Sequence, residues 1–165
     1  MPSEEVPESV NKGLTFLIGR LVCNFNSAEL VVSAWIEALT NDPEFVKIIM
    51  YEGRLPNSST CIDIAKRLVE IRCDEKEKAD ILEALQALTE LSFVRNTVCH
   101  NPVLYGPSGG EDSKKVIDWR KGKRNYSIED IDEAGSRCRD ISYSLGSLYV
   151  SKFGHDMKLG TNLSK

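Results

Sequence analysis

Residues 14–39 read LTFLIGRLVCNFNSAELVVSAWIEAL, and their apolar side chains return at Leu14, Leu17 and Ile18, Leu21, Phe25, Ala28, Val32, Trp35 and Ile36, and Leu39. Steps of three and four sustained for about seven turns are the period of an α-helix with one buried stripe. A strand would alternate its side chains with period two instead. A helix this long with one apolar stripe needs other helices to cover it.

The remaining segments supply them. Asn41-Asp42-Pro43 ends the first helix and restarts the chain, with Asp42 as a cap and Pro43 at a first helical position, into a short helix through Phe45, Val46, Ile48 and Ile49 that Gly53 and Pro56 close. Asn57-Ser58-Ser59-Thr60 offers capping side chains to a helix with Ile62, Ala65, Leu68, Val69 and Ile71 inward and Lys66, Arg67 and Glu70 in solvent. Asp74-Glu75-Lys76-Glu77 has the form of a capping box and opens a helix that runs to about His100, where Asn101-Pro102 stops it. Residues 102–126 hold Pro102, Gly106-Pro107, Gly109-Gly110 and Gly122, the marks of a long connection with at most one hairpin, Val116–Trp119 against Lys123–Tyr126. Ser127 and Asp130 cap a last helix whose stripe is Ile128, Ile131, Ala134 and Gly135, Cys138, Ile141, Leu145, Leu148 and Tyr149. The expected fold is all-α: an antiparallel four- to five-helix bundle with a long loop or small β-hairpin before the last helix. Residues 12–153 form one domain between a flexible N-terminus, 1–11, and a flexible tail, 154–165.

With a net charge of −4 and a pI near 5.3, the chain is not basic all over, so any contact with nucleic acid must be local. The start Met1-Pro2-Ser3-Glu4-Glu5 is acidic, and no apolar run approaches a membrane span, so a cytoplasmic protein without membrane association is expected. Five cysteines without a C-x-x-C pair, and only His100 and His155, give no zinc spacing. The cysteines are expected to be reduced core residues, except Cys99 beside the candidate site, and no metal or other cofactor is expected.

That site is Arg95-Asn96-Thr97-Val98-Cys99-His100. Ile81, Leu85, Leu88, Ser92, Arg95 and Cys99 form one seam of their helix and Ala84, Leu91, Val94 and Val98 a second, so Arg95 stands where a core residue is expected. A buried guanidinium needs an anionic partner or a polar cleft. Asn96 and His100, four residues apart, share the adjoining face, flanked by Phe93 and Thr97. An imidazole shuttles protons near neutral pH, and an arginine stabilises a doubly charged phosphorane-like transition state. Metal-free RNA cleavage needs that pair, with His100 moving the proton of the 2′-hydroxyl or of the leaving 5′-oxygen. Arg95 would hold the phosphate, and Asn96 would orient the imidazole or donate to phosphate. The bland assignment is an ion pair of Arg95 with Glu29 or Glu90 and a His100 that caps the helix end.

Arg95-Asn96-x-x-x-His100, the Glu29 on the long first helix, the loop after the His and the S-x-x-D start of the last helix together resemble the HEPN superfamily over roughly residues 12–150. These helical-bundle domains carry an Arg followed by a His after a short spacer, often with a polar residue directly after the Arg. Here Asn101-Pro102 stands where a Gly or other small residue is frequent. The resemblance implies a homodimer whose motif helices face each other across a shared cleft, and metal-independent endoribonuclease activity, often in toxins or defence effectors. In some members it implies a non-catalytic role or a nucleotidyltransferase antitoxin as partner protein.

Between Lys114 and Arg124 lie Lys114, Lys115, Arg120, Lys121, Lys123 and Arg124 against Asp118 alone, with Trp119 and Tyr126 alongside. Such a patch suits tracking an RNA backbone and stacking unpaired bases, and equally suits a solvated hairpin whose edge lysines protect. The alternative function is a non-catalytic protein- or RNA-binding module of the same fold. A small-molecule enzyme has no Gly-rich phosphate loop or triad-like pattern to support it.

Overall fold

The computed structural model describes residues 8–42, 44, 57–100, 103, 104, 115–117 and 125–154. Helices dominate them: α1, Glu8–Thr40; α2, Ser58–Arg72; α3, Glu75–His100; and α4, Ile128–Phe153. The fold is an all-α bundle. Three short strands, β1 (Val103–Leu104), β2 (Lys115–Ile117) and β3 (Asn125–Tyr126), pair antiparallel in that order, with Val116 opposite both Val103 and Tyr126. β2 packs against α3, and β3 against α4. The expected short helix through Phe45 and Ile49 and the hairpin residues Trp119 and Lys123 lie outside the described residues, as do residues 1–7 and 155–165.

α1 begins at Glu8, ahead of its readable stripe, because Val10 is the only apolar side chain before Gly13. It ends at Asn41, whose φ of 53° is the left-handed conformation that asparagine tolerates at a helix terminus, with its N–H on the Glu37 carbonyl at 3.2 Å. Leu14, Leu21, Phe25, Ala28, Val32, Trp35, Ile36 and Leu39 are all buried, as their spacing requires. α4 is α1's main neighbour. A Cβ at Gly135 would come within 3.5 Å of the Leu21 Cα, so the absent side chain lets the two backbones approach, and Asn24 donates to the Gly135 carbonyl at 2.8 Å. Arg20 pairs with Asp132 at the same level. At the other end Trp35 donates from Nε1 to the Leu145 carbonyl at 3.1 Å and meets Tyr149 and Phe153 edge-on, contacts that add about 0.5–1.5 kcal/mol each beyond area burial.

These contacts fix the directions. Early α1 meets early α4 (Arg20 with Asp132) and late α1 meets late α4 (Trp35 with Tyr149), so the first and last helices run parallel. α3 runs against both of its chain neighbours: Lys66 of α2 bonds Gln86 and Thr89, Arg95 bonds Ser58 at the start of α2, and Lys152 at the end of α4 pairs with Glu77 at the start of α3. The antiparallel arrangement therefore holds for α2–α3 and α3–α4 and not for α1 with α4. By the same contacts α2 runs in the direction of α1, so the connection 41–57 returns the chain along the bundle, whereas 101–127 joins the antiparallel α3 and α4.

Local details follow the capping chemistry. Ser127 and Asp130 form a complete capping box, whereas Asp74 accepts from the Glu77 N–H at 3.1 Å while the Glu77 side chain pairs with Lys152 instead. Two inward assignments are corrected. Ile71 is 74% exposed, since two positions beyond Val69 turn it about 200° from the α2 stripe. Cys23 is exposed on α1, between the buried Leu21 and Phe25, and only Cys73 and Cys138 among the cysteines are buried.

Candidate functional site

α3 buries Ile81, Leu85, Leu88, Leu91, Ser92 and Val98 against its neighbours, and Arg95 continues the line of Leu88 two turns on. Ser92 satisfies its buried hydroxyl on the Thr89 carbonyl at 2.7 Å. Arg95 is therefore turned inward, and its side chain is 22% exposed. Its guanidinium lies 4.8 Å above the Phe25 ring, Nη1 donates to Asn96 Oδ1 at 2.8 Å, and Nη2 donates to Ser58 Oγ at 3.2 Å. Nη2 is also 3.7 Å from Glu29 Oε2. Nε is buried without a hydrogen-bond partner among the described residues. Glu90, the other carboxylate considered as partner, accepts from Gln86.

Ser58 is the first residue of α2, whose N-cap Asn57 accepts from the Thr60 N–H at 2.9 Å and whose first turn contains no acidic residue. A helix N-terminus carries roughly half a positive charge. Arg95 thus adds a cation to a terminus that already disfavours one, and the carboxylate that answers both stands beyond hydrogen-bond distance. Glu29 lies near enough to the first turn of α2 to raise the Cys61 thiol, and Arg95 Nε is an unused N–H donor among the described residues.

Asn96 and His100 are exposed, and His100 is the last residue of α3. Five positions separate Arg95 from His100, about 140° at ~100° per residue, so the imidazole leaves the helix on the Asn96 side rather than the Arg95 side. The structure joins Arg95 to Asn96 and to Glu29; no hydrogen bond links His100 to Arg95 or Asn96 among the described residues. Thr97 is buried. Cys99 is exposed rather than a seam residue, its thiol raised by desolvation and drawn back down by the Arg95 charge. Burial and the nearby Glu29 likewise raise the Cys61 thiol.

Of the basic segment, only the backbone of Lys115, at the start of β2, falls within the described residues; Lys114, Trp119, Arg120, Lys121, Lys123 and Arg124 lie outside them, as does His155. β2, which begins at Lys115, packs on the helix that carries Arg95 and His100. Two contacts of Arg95 escaped the sequence. Ser58 reads there as a capping residue, and Phe25, one turn before Glu29 on α1, reads as core alone. Among the described residues no three His, Cys, Asp or Glu side chains gather as a metal set, and no helix is long and apolar enough to cross a membrane.

No family model matches the chain, nor does any curated protein or solved structure.

Proposed function

We propose that the C-terminal end of α3 is a phosphate-binding and RNA-cleaving site of the HEPN kind, acting without a metal ion through Arg95, Asn96 and His100. The observation that carries this is the guanidinium held against the N-terminus of α2, 3.7 Å from the Glu29 carboxylate and with its buried Nε unpaired among the described residues. A phosphate oxygen is the natural complement of that geometry. Phe25, Ser58, Glu29 and Asn96 fix the guanidinium before substrate arrives, which is how preorganised charge lowers a barrier.

In the proposed reaction the ribose 2′-oxygen attacks phosphorus and the P–O5′ bond breaks. An imidazole takes the 2′-hydroxyl proton and a proton is returned to the 5′-oxygen, leaving a 2′,3′-cyclic phosphate and a 5′-hydroxyl. One chain supplies one His100; a homodimer with facing motif helices supplies two, enough for a base and an acid. The basic segment Lys114–Arg124 would hold the flanking strand. A toxin or defence effector in the cytoplasm, with an antitoxin as partner, is the biological setting proposed for such an activity.

The Arg95–Glu29 pair also favours a second reading, a non-catalytic bundle that binds protein or RNA, in which Arg95 only ties α1, α2 and α3 together. Incubation of the full chain with paired and unpaired RNAs in the presence of a chelator separates the two. Cleavage that His100→Ala and Arg95→Ala abolish supports the nuclease, and RNA left intact by the wild type supports the binding module.

A further inference from the structure

We infer that the outer face of α1 and α4 is a contact between two copies of this chain, in which Phe16 of each copy seats in the α1–α4 groove of the other. The contact goes beyond the cleavage proposed for α3 and is independent of it, because Cys23 at its centre stands two positions, about 200° around the helix, from Phe25, the ring beneath Arg95. From Gly13 to Ile36 the charged residues of α1 are Arg20 and Glu29, and both are turned to neighbours, Asp132 and Arg95. Outward stand Phe16, Cys23 and Leu30, each one heptad from the last, with Phe16 68% and Leu30 49% exposed. A surface helix normally carries charge there. α4 is also without charge from Ile141 to Ser151, and its Tyr143 is 71% exposed.

Between the two helices runs a shallow groove of about 580 Å³, lined by Val31, Ser142, Tyr143, Gly146 and Val150. A Cβ on Gly146 would meet nothing from the rest of the fold within 4 Å, so the groove has room for a ring. Phe16 and Val31 are 15 positions apart, about 22 Å along α1 and about 60° around it. One two-fold axis beside Cys23, halfway between them and across α1, brings both rings onto both grooves at once, with the two α1 helices antiparallel. A face that holds a knob and the hole for it fits a second copy through such an isologous contact. About 25 Å of two adjacent helices covers roughly 500 Å² on each copy, near the ~1,000 Å² total at the lower limit of specific interfaces, so the copies join and part with concentration.

Sedimentation velocity of the full chain over a concentration series tests this. The wild-type mass is expected to double as concentration rises. The concentration of half-association is expected to increase at least about 10-fold in Phe16→Glu, which charges the knob, and in Gly146→Leu, which fills the groove. Thr15→Glu, exposed on the same turn of α1 but about 100° around it from Phe16, is expected to associate as the wild type does. Labelling of Cys23 by a thiol reagent, fast in dilute wild type, is expected to slow as the copies associate and to stay fast at every concentration in Phe16→Glu. A wild-type mass that never doubles, which would leave the face to a different partner, overturns the inference. Doubling that both Phe16→Glu and Gly146→Leu retain, doubling that Thr15→Glu loses equally, or wild-type Cys23 labelling indifferent to concentration overturns it as well.

Discussion

Arg95 Nη2 stands 3.7 Å from Glu29 Oε2 across the α1–α3 contact, a separation that leaves the two charges attracted without a hydrogen bond between them. The side chains are 22% and 29% exposed, so solvent screens the pair and its worth is about 0.5–1 kcal/mol.

Glu29→Gln should lower unfolding stability by about that amount and raise affinity for uncleavable single-stranded RNA by about 3-fold, because it removes a carboxylate that competes with phosphate for the guanidinium. Urea unfolding and fluorescence anisotropy measure the two effects. Lower stability with unchanged RNA affinity would assign the pair a purely structural role.

The thiols should divide by burial. Cys23 and Cys99 are exposed and react first with a thiol reagent at mildly alkaline pH, while Cys138, whose thiol burial pushes up to about 12, reacts only on unfolding. Arg95→Ala should slow labelling of Cys99 about 2- to 5-fold and leave Cys23 unchanged, since the Arg95 charge favours the Cys99 thiolate. Peptide mass spectrometry of timed labelling reads both rates, and a Cys99 rate indifferent to Arg95 would contradict the arrangement.

Lys152 titrates above its ordinary 10.5 because it donates a hydrogen bond to Glu77. A raised lysine pKa means a contribution to stability that is whole below the unfolded value and is lost as pH climbs through the folded one. Wild type minus Lys152→Met stability should therefore be constant from neutral pH to about 10 and shrink above it. Urea midpoints across that range test this, and a difference that stays flat into strong alkali would exclude the linkage.

How far the sequence reached follows from range. Helical period is local, so the stripes of α1 and α4 and the cap Ser127 were legible residue by residue, while Asn57 was one of four adjacent capping candidates. Glu29 as a partner of Arg95 was legible too, because a charged residue one step off a buried stripe needs an opposite charge. The parallel course of α1 and α4 was not, since it depends on connections whose length permits either direction. Nor was the meeting of Arg95 with Ser58, which the register of α2 against α3 decides. Arg95 and His100 read as converging; the helix turns them about 140° apart, so a shared substrate, rather than a direct contact, is what would unite them.

Cleavage at a ribose is the chemistry proposed for His100 and Arg95. Its most direct test is a DNA oligonucleotide carrying a single ribose in an unpaired stretch, incubated with the full chain and a chelator, with the products identified by mass spectrometry. One cut is expected, with a 2′,3′-cyclic phosphate at that ribose and a 5′-hydroxyl beyond it, lost in both His100→Ala and Arg95→Ala. An intact oligonucleotide, a cut at a deoxy position, or equal cleavage by His100→Ala would contradict it.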